Sequence, residues 1–524
     1  MTNFHRSLII GTSALALAGC GADEIVSPGT GGDVIINNPG GGGGGGTPTP
    51  TPPTTNLVTP AAGCPTISDP VGLTDSGTIE GPTGEYRVCT MPARFTASST
   101  LPYIEGLLYR MNGRVDVGTD GGPAADNSDG LSDSNVELTI EPGVIVYASG
   151  SSFLNVNRGN TIAANGTASR PIIFTSRDNV QGLNTDSSSG QWGGVVLSGR
   201  APVTDCIASG ATPGSVNCER QVEGAAQPAI FGGNVPDDSS GSMEYVQIRY
   251  SGFVLSGDSE LQSLTTGGTG SGTNLDYIMS YNSSDDGVEF FGGRVNAKHL
   301  IVVGAEDDSI DTDTGVKANL QYVIAIQRPG AGDTIIEADS DNAFNDSAPR
   351  QRTRISNATF VHQSAEDQVI RIRGFADYQI ANSVIVSTQG TPCLRVDGQE
   401  ELFRTTGPDE SGPVSFDSVV LDCDTPVRDS SGATAAEIQG VFDNGSNNNS
   451  NFTNTLQSLF INGSNENGVP VYDVTQWSGF FALPAQIGAV FDENRTWVNG
   501  WTCTSSTVTF DSSTSACSSL PVYN

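Results

Sequence analysis

Residues Leu275–Ile326 read "LDYIMSYNSSDDGVEFFGGRVNAKHLIVVGAEDDSIDTDTGVKANLQYVIAI". The apolar segment that opens this stretch recurs as "AKHLIVV" from Ala297 and as "LQYVIAI" from Leu320. Further copies are "ISNATFV" from Ile355, "IANSVIV" from Ile380 and "FDSVVLD" from Phe416, with starts 22, 23, 35, 25 and 36 residues apart. An earlier copy, "MEYVQIR", begins at Met243. Each copy alternates apolar and polar residues and then breaks at Gly, Asn, Ser or Asp, the pattern of a short strand followed by a turn. A repeat of this length marks a solenoid. An interval of 22 to 25 residues suits one coil of a right-handed parallel β-helix with three short strands per turn. The longer intervals suit the same coil with a loop inserted. A propeller blade needs about 40 residues, which the tight intervals do not supply. Equivalent positions in stacked coils lie about 4.8 Å apart. Ile278, Leu300 and Val323 should therefore form one inward ladder. The predicted fold class is all-β: a right-handed, single-stranded parallel β-helix with capped ends. No long segment has a sustained helical period.

The same interval governs the acids. Asp285-Asp286 and Asp307-Asp308 are 22 residues apart, as are Glu289 and Asp311. Stacked coils place Asp286 over Asp308 and Glu289 over Asp311, and the following coil offers Asp333, Glu337 and Asp339. Carboxylates about 5 Å apart repel one another in a dry site. Either they splay into water, or a hard cation sits among them. Calcium accepts several carboxylate, carbonyl and water oxygens in flexible geometry. Asp285, Asp286, Glu289, Asp307, Asp308, Asp311, Asp313, Glu337 and Asp339 are the candidate ligands, with a solvated acidic ridge as the alternative. Asp311 and Asp313 also suit local turn capping. The chain has no EF-hand loop.

The N-terminus carries a polar, basic start, an apolar run from Leu8 to Ala18, and a cysteine. This is a secretory signal, too short to span a bilayer as a mature helix. Leu17-Ala18-Gly19-Cys20 resembles the bacterial lipoprotein box. The resemblance implies cleavage before Cys20, a diacylglyceryl thioether on its sulfur, fatty-acyl chains such as palmitate, and an outer-membrane location facing the periplasm or the cell surface. Residues 20–63 contain "NNPGGGGGGGTPTPTPPTTN", a tether with no means of building a core. The expected layout is a signal peptide at 1–19, the lipidated cysteine and tether at 20–63, an N-terminal cap at 64–135, the β-helix at 136–440, and a C-terminal coil with an aromatic cap at 441–524. In that cap Trp477, Phe480, Phe481, Trp497 and Trp501 would plug the open end of the helix.

Export fits the other cysteines. Sequence neighbours suggest Cys64–Cys89, Cys206–Cys218, Cys393–Cys423 and Cys503–Cys517, and no C-x-x-C pattern points to zinc. A net charge of −34 excludes nucleic-acid phosphates as partners.

From about residue 136 the segments "LTIEPGV", "IAANGTASRPIIFTS", "QWGGVVLSG", "MEYVQIRYSG", "SDDGVEFFGGRVNAKHLIV", "EDDSIDTDTG" and "IGAVFDENRTWVNGWTC" follow one another. This succession resembles a family of bacterial lipoproteins and surface proteins with parallel β-helix repeats. The resemblance implies the fold and a cell-envelope location more than an activity. The order "SDDG", "AEDDSID", "IRIRG" also resembles the polygalacturonase family. In that reading Asp285, Asp307, Asp308 and Arg371 or Arg373 would be the catalytic positions, as paired carboxylates across a glycosidic bond. A histidine expected by that pattern is missing: His5 lies in the leader, and His299 and His362 lie in strand-like segments. A pectate-lyase-like alternative would pair calcium with Arg371 or Arg373 as base; ion pairing with the acids is their simpler role. The leading expectation is a calcium-stabilised binding protein for a glycan, another surface polymer or an outer-membrane protein partner. A polysaccharide hydrolase or lyase and a structural, adhesive surface protein are the alternatives.

Overall fold

The computed structural model describes residues 57–222, 229–253, 261–340, 346–494 and 496–523. The signal, Cys20 and nearly all of the expected tether lie outside the described residues. The described chain winds into a right-handed parallel β-helix built on a 15-stranded sheet and a 10-stranded sheet. The inward ladder forms as expected: Ile278 pairs with Leu300 and Leu300 with Val323, all buried in one continuous core.

The long sheet is bent into two arms. In the early coils the arms are separate strands, Thr161–Asn165 on one side and Ile172–Ser176 on the other. Gly241–Arg249 pairs with both, and from there each coil crosses the bend in one strand of 8 to 11 residues. One residue per coil makes the corner with positive φ: Tyr245 (51°), Tyr277 (53°), His299 (49°), Tyr322 (63°), Asn357 (59°), Asn382 (51°) and Ser418 (55°). This left-handed conformation costs an L-residue about 1–2 kcal/mol. Stacking offsets it in the aromatic part of the column. Ring centroids are 4.2 Å apart for Tyr245–Tyr277, 4.2 Å for Tyr277–His299 and 5.1 Å for His299–Tyr322.

Parallel coils begin earlier than residue 136. Gly84–Thr90 already pairs in parallel with Leu107–Arg110, and Arg94–Phe95 with Val115–Val117. The N-terminal cap reduces to the segment before Gly84, including the antiparallel strand Thr74–Gly81. The reason is local: "VCTMPARF" and "LLYRMNGRV" carry the same strand–turn–strand spacing as later coils, without their acidic landmarks.

At the far end the helix Ala435–Asn444 closes the core, with Ile438 and Phe442 buried and the Phe442 ring 5.5 Å from Phe416. A capping box between Thr434 and Glu437 starts it. The C-terminal aromatics do not plug this end. Instead the chain from 445 onward returns along the flank as a strap. Asn449 bridges Val420 in the last coil, while Leu520 packs with Val58 beside the first. In between, Phe460, Val490, Val498 and Trp501 cover the outward side chains Met279, Tyr281, Ile301, Val303, Ile324 and Ile326. Those strand halves are apolar on both faces, as strands covered on both sides must be. The buried corner residues Asn357 and Asn382 hold the strap. Asn357 Nδ2 donates to Gln486 O (2.7 Å), Asn382 Nδ2 donates to Tyr472 O (3.0 Å), and Tyr472 N donates to Asn382 Oδ1 (2.7 Å). All four expected disulfides are present, with Cα–Cα separations from 4.7 to 5.8 Å.

Candidate metal centre

The short sheet places the acids in columns on its outer face. Glu289 pairs with Asp311, Asp311 with Glu337, Glu337 with Arg371, and Arg371 with Arg395. One outward position further along, Phe291 pairs with Asp313. Asp339, Arg373 and Asp397 follow on successive coils, since their backbone N–H groups donate to Thr312, Ala338 and Ile372.

The doubled aspartates at the turn into this sheet have separate jobs. The second of each pair hooks the next coil. Asp286 Oδ1 accepts the Asp308 N–H (2.9 Å), and Asp308 Oδ1 accepts both the N–H (2.8 Å) and the hydroxyl (2.6 Å) of Thr334. The first of each pair stands farther out; Asp285 Oδ2 accepts from Gln262 Nε2 at 3.1 Å. Three sets of carboxylate oxygens converge to within 4.8 Å of one another: Asp285/Asp286/Asp307, Asp286/Glu289/Asp311 and Asp307/Asp308/Asp333. Asp333 completes the third set. Its signal in the sequence was its register, one coil after Asp307 in "GDTIIEAD".

These groups are poorly solvated: Asp286, Glu289 and Asp308 are 6%, 7% and 5% exposed. Burial pushes the Asp286 carboxyl well above the usual range, and Asp285, Glu289 and Asp308 add repulsion. Asp308 and Asp311 are raised for the same reasons, burial first and neighbouring acids after. Asp333 is pushed up to about 6, again chiefly by burial. Asp311 is the anomaly. Its Oδ1 is shut off from solvent and accepts no hydrogen bond among the described residues. The local turn-capping role falls to Asp313, which accepts from Thr314 N, and to Asp339, which accepts from Ser340 N at 2.7 Å. The converging donors are all hard carboxylate oxygens, the set that suits calcium rather than zinc or copper.

A family model described as a pectate-lyase-like beta helix domain matches residues 128–502. The chain belongs to that family. No curated protein and no solved structure matches it.

Within this pectate-lyase-like β-helix the arginines are committed. Arg371 reaches Glu337 and Asp397, each at 3.0 Å, and Arg373 reaches Glu337 at 3.3 Å and Asp339 at 2.5 Å. Burial lowers the Arg371 pKa, but Asp397 and Glu337 outweigh it and the net shift is upward, away from use as a base. Asp285 and Asp307 come together with Asp286, whereas the ion pairs of Arg371 and Arg373 are with Glu337, Asp339 and Asp397 instead. Asp308 turns an oxygen to Thr334. Buried His362 bonds the Asp333 carbonyl at 2.9 Å and the Thr391 hydroxyl at 3.1 Å, so both ring nitrogens serve the turn.

Proposed function

We propose that this β-helix is a calcium-stabilised, non-catalytic binding protein of the cell envelope, held to the outer membrane through lipidated Cys20 and engaging a glycan, another surface polymer or an outer-membrane protein. The observation that carries the cation is Asp311: its Oδ1 is a dry carboxylate oxygen with no donor among the described residues, and its carboxylate comes together with those of Asp286 and Glu289. Asp286, Glu289 and Asp311 would hold the ion, with Asp285, Asp307 and Asp308 beside them adding their negative charge to the site. The bound calcium would supply charge compensation and cross-link consecutive coils. The paired state of Arg371 and Arg373 supports binding over lyase chemistry. The basic start, apolar run and Leu17-Ala18-Gly19-Cys20 of the leader and the Gly/Thr/Pro-rich tether of the sequence support the anchor.

Calcium titration into chelator-stripped protein by calorimetry tests the cation. Saturable heat that Asp311→Asn removes is the expected result. An unchanged melting temperature between chelator and millimolar calcium would reject a stabilising site. Reducing-sugar and unsaturated-product assays on a polysaccharide panel should remain at blank level; turnover lost in Asp308→Asn would replace this reading by the enzymatic one.

A further inference from the structure

The outer face of the other sheet holds a second arrangement, of opposite charge. Arg294 pairs in register with Lys317, and Lys317 with Arg352, so three cations stand on consecutive coils about 4.8 Å apart. The chain has only 24 Lys and Arg against 58 Asp and Glu, so such a column runs against its composition. These three residues line a cavity of about 300 Å³ with Asn319, Asp409 and Ser411. Nearby acids are already engaged. Asp377 binds Arg350 Nε and Ser411 N, each at 2.7 Å, and Asp409 binds Lys317 Nζ at 2.8 Å. Among the described residues Arg294 and Arg352 have no ion-pair partner. Arg352 Nε and Asn319 Oδ1 are buried without a hydrogen bond among the described residues. Burial, with Arg354 and Arg294 close by, pulls the Arg352 pKa down to about 10, as expected of a cation lacking its counter-ion.

The cavity continues into a second of about 380 Å³ that shares Ser271 and Asn296 and adds Lys298 and Phe480. Lys298 Nζ sits 4.8 Å from the Phe480 ring centroid, and Asn319 Nδ2 donates to Asn296 Oδ1 at 2.8 Å. A small anion would satisfy one or two of these groups. Evenly spaced cations, amides and hydroxyls beside one aromatic ring match a longer ligand, with repeated negative charge and many hydroxyls.

The geometry points to a binding groove for an anionic oligosaccharide, carrying carboxylate or sulfate groups, along Arg294, Lys317 and Arg352. This gives the binding reading a location and a ligand class; it rests on that reading but not on the calcium site, which lies on the other sheet.

The test is calorimetry with the full mature chain in low-salt buffer containing chelator, so that the cation cluster does not contribute. The probes are an oligogalacturonate, a heparin-derived oligosaccharide, a neutral maltooligosaccharide and inorganic sulfate. The expected result is binding of one or both anionic oligosaccharides, at least about tenfold weaker in Arg352→Gln and in Arg294→Gln, and weakened by added salt. The two acidic sugars distinguish carboxylate from sulfate recognition. Arg294 is exposed, so its variant keeps the test valid should Arg352→Gln fold poorly. Equal binding of the neutral sugar, or binding of sulfate alone, overturns the proposal. Anionic sugars bound equally by wild type and both variants overturn this groove while leaving the binding reading standing. If no sugar binds at all, the groove falls together with the glycan form of that reading.

Discussion

Asp308 can be used to separate the structural and cation-binding roles of the acidic cluster. Its Oδ1 accepts two buried hydrogen bonds from Thr334, at 2.8 and 2.6 Å. A hydrogen bond to a charged group is worth about 1.5–3 kcal/mol, and a stranded buried donor is costly. Asp308→Ala should therefore lose about 3–5 kcal/mol whether or not calcium is present. Asp308→Asn keeps the oxygen acceptor and removes a charge that burial and neighbouring acids oppose. In chelator it should match or exceed the wild type. In calcium at about a hundred times its dissociation constant, the wild type should gain about 2.7 kcal/mol and the Asn variant much less. The order of stability should then change, from Asn at or above wild type and Ala last, to wild type first, Asn second and Ala last. Denaturant unfolding followed by tryptophan fluorescence reports this directly, since Trp192 and Trp501 are fully buried. An Asn variant as unstable as Ala in chelator would refute the hook. A stability order unmoved by calcium would refute the cation.

Other consequences are equally open to measurement. Asp311→Asn, which leaves every inter-coil hook intact, should abolish the calcium-dependent rise in melting temperature without lowering the melting point in chelator. Asn382→Ala removes two bonds to Tyr472 and should cost about 2–3 kcal/mol in denaturant unfolding. Truncation after Asn444 should bare the flank formed by Met279, Ile301 and Ile324, seen as dye binding and aggregation rather than as loss of the parallel coils. Cys20→Ser should move the protein from the detergent-rich to the aqueous phase on phase separation and eliminate acyl-chain labelling.

Much of this fold is legible because a solenoid repeats its own register. The 22-residue interval alone put Glu289 over Asp311 and Ile278 under Leu300, and both pairings occur. Neighbouring cysteines found one another because each pair closes a local loop. The strap was harder to see, because its contacts reach across hundreds of residues: Asn179 Nδ2 donates to the carbonyl of Cys517. A trace of it existed in "LIVV" and "VIAI", runs too apolar for a sheet with one wet face. The corner column was hidden for a different reason. Tyrosine and histidine at positive φ defy local preference, and only the stacked neighbours make the conformation worthwhile. The cationic cavity leaves no local motif, because Arg294, Lys317 and Arg352 are 23 and 35 residues apart. Net charge, the coarser measure, pointed the other way.

The strap also changes how such a molecule can come apart. A linear solenoid usually frays from its ends, each terminal coil being held by a single neighbour. Here the segment after the last coil lies against the first, and Val58 and Leu520 share one apolar cluster. Loosening either terminal coil means peeling a layer that also grips the middle. Amide exchange should then be nearly even along the coils, and a pull on the two termini should load the strap first, like a seam, before any coil unwinds.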